Sequence, residues 1–314
     1  MSFDEKLPAY TSEPFTPPAF VRPKANKICC ITLRDADRIL LVNTPMQVVR
    51  SIRLSILESW YKPIQSEGEY YGGYEFKVKG NPWRGFRAET VHSRKLVLGM
   101  LKRMAFLGWK LIQASDVTKS RCEMDSLFFE LADDDRTEEG DEENDDVDEP
   151  LEGGEEEGKR VKLEMDQDTG IDMFALSFEW WDRLRVIEGS PENIAAIKDA
   201  LQTVWTKGIQ LEKDYAGSYE FKLGGSPFNP WKWDSIEARM MFIQILANLK
   251  SQGFSLYASI DISPNQQDEK IESWFFKRDK KRKVKDEGME ESSSARRGHL
   301  TRGGEEKTGI LVDF

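Results

Sequence analysis

The chain has 314 residues, 39% hydrophobic and 32% charged, with a net charge of -11; that length holds two domains of ordinary size, and the charge asks for a strongly acidic, solvated segment. No apolar run approaches the roughly 18–20 residues that cross a bilayer, which excludes a membrane-spanning helix. Three cysteines, the adjacent Cys29 and Cys30 and the distant Cys122, exclude a disulfide framework and point to a reducing compartment.

Residues 1–26 open with MSFDEKLPAY, which lacks the basic-then-apolar plan of a signal peptide, and carry five prolines; they read as a disordered arm of a protein that is not secreted. Residues 27–132 then change character. ICCITL and RILLVN form a strand pair around the turn Arg34 to Asp37, with Cys29 and Cys30 facing opposite ways. After Thr44 and Pro45, Val49, Ile52, Ile56 and Trp60 recur at helical spacing. YEFKV alternates, with Tyr74, Phe76 and Val78 on one face and Glu75 and Lys77 on the other, until Gly80 and Pro82 stop it. A longer helix over about 89–107 closes at Gly108, and strands at about 109–117 and 126–131 complete the unit.

Residues 133–170 carry 4 basic and 19 acidic side chains and few large apolar ones, a composition that predicts a disordered acidic linker. Beyond it the first unit returns. Shifting the chain by 145 residues lays WYKPIQSEGEYYGGYEFKVKGNP on WTKGIQLEKDYAGSYEFKLGGSP without a gap, and the register persists from Asp37 on Asp182 to Asp116 on Asp261. A period of that length is a tandem duplication of whole domains. Residues 171–279 form the second copy, with Ser190 and Pro191, the stripe Ile194, Ile197, Leu201 and Trp205, the strand YEFKL, a helix over about 234–252 and the closing Gly253 in corresponding places. Each copy reads as ββαβαββ, an α+β layer of a mixed sheet with helices on one face. A fused duplicate can keep a former dimer contact, so a pseudo-two-fold packing of the copies is expected. Residues 280–314 read as a disordered tail rich in basic residues, Ser and Gly.

Charge divides unevenly: residues 27–132 hold 17 basic and 11 acidic side chains, and 171–279 hold 12 and 16. Metal and nucleophile signatures are missing, no cofactor is implied, and of the two histidines His92 reads as a surface residue and His299 falls in the tail. The repeated phrase is the one polar constellation: Lys62, Gln65, Glu67, Tyr70, Tyr74, Glu75, Lys77 and Arg94, with Lys207, Gln210, Glu212, Tyr215, Tyr219, Glu220, Lys222 and Arg239. It reads either as a pocket where cations hold an anion against tyrosines, or, on the plainer view, as scaffold in which Glu75 meets Arg94 or the surface beside Lys77, and Glu220 likewise meets Arg239.

KRVKLE, with Lys159, Arg160 and Lys162, and KKRKVK, with Lys280, Lys281, Arg282 and Lys283, resemble nuclear import signals, so an importin is an expected partner and nucleus with cytoplasm the expected location. The terminal GILVDF resembles a sheet-adding peptide. Trp83, Phe86, Trp109, Trp231, Trp233 and Trp274, beside Lys77, Lys79, Arg84, Arg87 and Lys95, suit a nucleic-acid stacking face or a core. The leading expectation is a non-enzymatic interaction protein holding protein partners; a nucleic-acid binder acting through the basic first copy comes second, and an enzyme on small anionic substrates third.

Overall fold

The computed structural model describes residues 27–117, 123–132, 171–262 and 272–278. Copy 1 runs β1 (Ile28–Arg34), β2 (Arg38–Val42), α1 (Met46–Ser59), β3 (Ile64–Tyr70), β4 (Gly73–Val78), α2 (Ala88–Phe106), β5 (Trp109–Ser115) and β6 (Glu123–Leu131). Copy 2 repeats it as β7 (Met173–Glu179), β8 (Arg183–Ile187), α3 (Pro191–Val204), β9 (Ile209–Tyr215), β10 (Ser218–Leu223), α4 (Trp233–Ser251), β11 (Phe254–Ile260) and β12 (Ser273–Arg278). The sheets share one order, β3-β4-β2-β1-β6-β5 and β9-β10-β8-β7-β12-β11. The duplication therefore holds down to strand order.

Each copy has one strand more than the hydrophobic pattern shows. β3 and β9 lie at the sheet edges, where no position is fully buried and no apolar alternation is needed. What makes them strands is the turn that follows: Tyr71 and Gly72 (φ 46° and 84°), like Ala216 and Gly217 (φ 52° and 77°), form a two-residue hairpin with both residues at positive φ, as a type I′ turn requires. With this hairpin every paired strand is antiparallel, so the sheets are not mixed. The repeated phrase is the β3–β4 hairpin.

The caps follow the sequence closely. Ser190 accepts a bond from Asn193 N while Asn193 Oδ1 accepts one from Ser190 N, so α3 starts at Pro191. In copy 1 the position of Asn193 is Val48, which cannot return that bond, and α1 starts at the equivalent place, Met46, with Pro45 as its uncapped flank. Gly108 and Gly253 stop α2 and α4 at φ 81° and 86°.

In copy 2, Phe174, Leu176, Leu184 and Phe221 pack under Ile197, Leu201, Met241 and Ile245, so α3 and α4 cover one face of their sheet. The opposite face of that sheet is covered as well, by copy 1. Met173, Ala175, Ile187 and Phe275 belong to the same apolar core as Val91, Leu98 and Leu101 of α2. Consequently β7 is buried on both faces from Met173 to Phe178, whereas its equivalent β1 has exposed and half-buried positions on its outer side. A helix of copy 1 on the sheet of copy 2 is a head-to-tail contact: among the described residues Ile28 and Val42 on the outer face of sheet 1, and Ile236, Met240 and Ile243 on the corresponding face of α4, stay exposed, while Arg239 lines a cavity with β5 of copy 1. The expected pseudo-two-fold does not describe this joint. Burial of the apolar stripe of α2 on a second sheet adds stabilisation that a two-fold mate would have had to supply.

Candidate docking surface

The polar residues of the repeated phrase resolve into ion pairs that recur in both copies and tie the hairpin down. Lys62 pairs with Glu89 and Lys207 with Asp234, at equivalent places. Glu67 meets Arg53 at 2.8 Å and Glu212 meets Lys198 at 2.9 Å. Lys77 reaches Asp37 at 3.9 Å and Lys222 reaches Asp182 at 4.0 Å, with Gln210 accepting a further bond from Lys222. Tyr74 and Tyr219 lie 5.1 Å from Phe76 and Phe221, and Gln65 is exposed. Such pairs, mostly half-exposed, fix geometry more than they stabilise. They enclose no common pocket.

The pairing of Glu75 with Arg94, and of Glu220 with Arg239, is not formed. Glu75 points to the outer face of sheet 1, away from α2, where Arg38 holds it and Arg34 lies 3.6 Å off, with Tyr70 5.3 Å below Arg34. Glu220 sits likewise between Arg183 at 3.0 Å and Arg185 at 2.7 Å, and Arg185 stacks over Tyr215. The two arginines on it hold the Glu220 carboxyl below its usual range against the opposing effect of burial. A helix residue packed away from its own sheet cannot reach a carboxylate beyond that sheet, which is why the expected pair fails.

Arg94 instead crosses the joint between the copies. Its Nε donates to Ser273 Oγ at 3.1 Å and its guanidinium lies 3.8 Å from Glu179, fully enclosed; burial lowers its pKa and Glu179 opposes that. Next to it Arg185 donates to Thr90 Oγ1 at 2.9 Å, and Lys102 meets Glu188 at 2.8 Å. Arg239, the equivalent of Arg94, is exposed and, among the described residues, bonds within its own helix turn, to Ser235.

A second joint contact places Asp125 Oδ2 as acceptor from Asp261 N at 2.8 Å. Burial raises the Asp125 carboxyl to about 6, the Asp261 amide bond lowers it, and Asp261, Glu272 and Asp116 raise it further. These acids border a cavity of about 730 Å³ whose other wall is Phe228, Phe242 and Trp274. A smaller cavity of about 430 Å³ lies between Arg87 of copy 1 and Trp180, Trp181 and Tyr215 of copy 2. His92 is half-buried with its ring 4.6 Å from Tyr61, and burial, then Lys95, lowers its pKa.

The aromatic set divides between core and surface. Trp83 and Trp109 are core residues, Trp83 donating to Arg38 O at 2.8 Å, and Trp274 packs 5.2 Å from Phe178. Of the basic set, Lys77 turns to Asp37 and Lys95 to Gly217 across the joint, so the five residues form no single face. Trp231 and Trp233, by contrast, are 76% and 82% exposed, and Phe86 meets Trp180 across the joint. Trp180 and Trp181 join them, half-exposed at the β7–β8 turn, and Phe228 N bonds to Trp181 O, which lays the loop before α4 alongside. Neither tryptophan belongs to the aromatic set read from the sequence. The signal was there: copy 1 has Asp35 and Ala36 at the same turn, where a hairpin tip has no core to receive a ring. Below them Trp233, Ile236, Met240 and Ile243 continue as one exposed stripe of α4. Exposed apolar side chains of this kind are what a protein partner covers.

Lys159, Arg160, Lys162, Lys280, Lys281, Arg282 and Lys283 lie outside the described residues, as do the acidic linker, Cys122, His299 and the terminal hexamer. One domain-family profile matches the chain twice, at residues 27–130 and 172–277. No curated protein and no solved structure matches it at a significant level.

Two outcomes follow from the joint. Arg94→Ala should lower stability by about 2–4 kcal/mol, since it opens a buried polar contact, while Arg239→Ala at the exposed equivalent should stay within about 0.5 kcal/mol; paired urea melts of the full chain measure both. Asp125 has a folded pKa near 6 against an ordinary 3.8, so its contribution favours the fold below about pH 4 and is lost as pH rises through 6. Asp125→Asn should therefore gain on the wild type by about 2–3 kcal/mol between pH 4 and pH 7, read as a growing difference in melting temperature across that range.

Proposed function

We propose that this chain, which belongs through both of its copies to one domain family, is a non-enzymatic protein-interaction module of nucleus and cytoplasm that holds protein partners on copy 2. The observation that carries this reading is the exposed band of Trp180, Trp181, Trp231 and Trp233 with Ile236, Met240 and Ile243. Tryptophan gives the largest binding energy per residue at interfaces because it buries much area at small entropic cost. Here four of them stand on one copy of a fold that buries the tryptophans of its other copy. The same positions in copy 1 are Asp35, Ala36, Phe86 and Ala88, so the fold itself does not demand them.

Nuclear entry rests on the two basic stretches KRVKLE and KKRKVK, each of the composition that an importin groove accepts. The nucleic-acid reading loses its support with the division of the basic set, since Lys77 and Lys95 are engaged elsewhere.

The test is a tagged full-length chain in cells, compared with Trp231→Ala/Trp233→Ala. Both side chains are exposed, so the variant should melt as the wild type does and yet lose at least about tenfold of its cross-linked protein partners, as hot-spot removal does. An unchanged partner profile would overturn the interaction reading. In the same cells, alanine at Lys159, Arg160, Lys162, Lys281, Arg282 and Lys283 should reduce nuclear accumulation, and an unaltered distribution would remove the import signals from it.

A further inference from the structure

The internal repeat says what an uncovered face of α4 is built to meet. At the positions of α4's Ile236, Arg239 and Ile243, α2 has Val91, Arg94 and Leu98; the first three are exposed and the second three are buried. What buries Arg94 is the sheet of copy 2, through Ser273 and Glu179. Both helices carry apolar residues round their whole circumference, the pattern of a helix enclosed on all sides. Only α2 is so enclosed.

A matching sheet face is also open. The residues of sheet 2 that receive α2 include Met173, Ala175, Arg185, Ile187 and Phe275, all buried. Their equivalents on sheet 1 are Ile28, Cys30, Leu40, Val42 and Phe128; Ile28 and Val42 are 45% and 41% exposed and the others half-buried. Among the described residues the molecule thus has on one side an open helix face and on the other an open sheet face, and the two are related as the two sides of its own joint.

We infer that the open face of α4 is the seat for sheet 1 of a second copy of this chain, docked head to tail as copy 1 docks on copy 2 within the molecule. The inference rests on the protein-interaction reading and names its partner. Side chains on the two faces change together in its favour. Where Lys102 meets Glu188 at 2.8 Å within the molecule, the equivalents are Ala247 and Asn43, so neither side keeps an unpaired charge. Lys95, which lies over the β9–β10 turn, is replaced by Met240, and Arg185 is replaced by Leu40, so both faces are more apolar where they meet. Lys232 takes the place of Arg87, and Asp35 that of Trp180, which sets a cation against an acid. Net charge agrees, with 17 basic to 11 acidic side chains in residues 27–132 and 12 to 16 in residues 171–279.

One place fits less well. Arg239 comes over Arg34 where Arg94 has Glu179, and it must share Glu75, which lies 3.6 Å from Arg34. The contact between chains is accordingly weaker than the one within the chain and has to be sought at micromolar concentration. Since a heterologous contact does not satisfy both faces at once, association continues beyond a dimer unless its rotation closes a ring.

Sedimentation velocity of the full chain from about 1 to about 200 μM tests it, a span that brackets micromolar dissociation constants. The wild type should show a weight-average sedimentation coefficient that rises with concentration past the dimer value. Ile243→Asp on α4 and Val42→Asp on sheet 1 alter exposed side chains; each alone should be monomeric and retain the wild-type melting temperature. Mixed in equal amounts they should form a 1:1 complex that grows no further, because only one intact helix face and one intact sheet face remain. A monomeric wild type across the range, self-association that survives Val42→Asp, or a mixture that stays monomeric would each overturn the inference. A monomeric wild type whose cellular partners are still lost on Trp231→Ala/Trp233→Ala would leave the interaction reading standing and remove only the second copy as its partner.

Discussion

The double burial of α2 is the constraint on which the rest of the molecule turns. A helix that offers apolar side chains all round cannot be satisfied by one sheet, and in copy 1 the second sheet is supplied by copy 2. That choice sets the polarity of the joint. It also buries an arginine, and a buried guanidinium is tolerated only with acceptors around it; Thr90 O, Ser273 Oγ and Glu179 provide them. Sheet 2 changes to suit, with small Ala175 and Ser177 where the helix comes down and Arg185 held between Glu179 and Glu220.

The consequence is an asymmetry between two copies of one fold. Each β3–β4 hairpin is held by the same ion pairs, and Trp60 and Trp205 each reach the carbonyl of the loop after the fourth or tenth strand, at Lys79 O and Gly224 O. Divergence is confined to surfaces that meet something different. Where α1 and α2 meet, a Cβ on Gly99 would lie 2.8 Å from Ser55 Oγ, and its equivalent in copy 2 is Gln244. A scaffold kept twice, with its outer faces changed, separates residues that hold the fold from residues that await a partner.

Much of this was legible in the sequence. The duplication, the hairpin at the start of each copy, both helices and their glycine stops were readable because each rests on a local rule: alternation, helical spacing, positive φ. The edge strands β3 and β9 were not, since an edge strand facing water on both sides has no period to show, and only the turn after it betrays it. The partner of Arg94 was hidden for a different reason. Spacing places Arg94 on a face of α2, but which sheet covers that face is a property of how the copies join, 85 residues further along the chain at Glu179. A clue was in view in the all-round apolar character of both long helices, which asks for more covering surface than one sheet owns.

Strain points the same way as exposure. At the first hairpin turn of each copy one residue is left-handed: Asp35 at φ 53° and Trp180 at φ 56°. Aspartate tolerates that conformation through local hydrogen bonding, whereas a bulky side chain is disfavoured there by about 1 kcal/mol. Copy 1 therefore has the residue that the turn prefers, and copy 2 has one that the turn resists and that the core does not take in. Among the described residues nothing within copy 2 recovers that loss, for the ring is more than half exposed and the aromatic ring it meets, Phe86 at 6.5 Å, comes from the other copy. A strained and exposed tryptophan is intelligible where its free energy is recovered on binding, and its place next to Trp181, to which the loop before α4 is bonded, ties the strained turn to that end of α4.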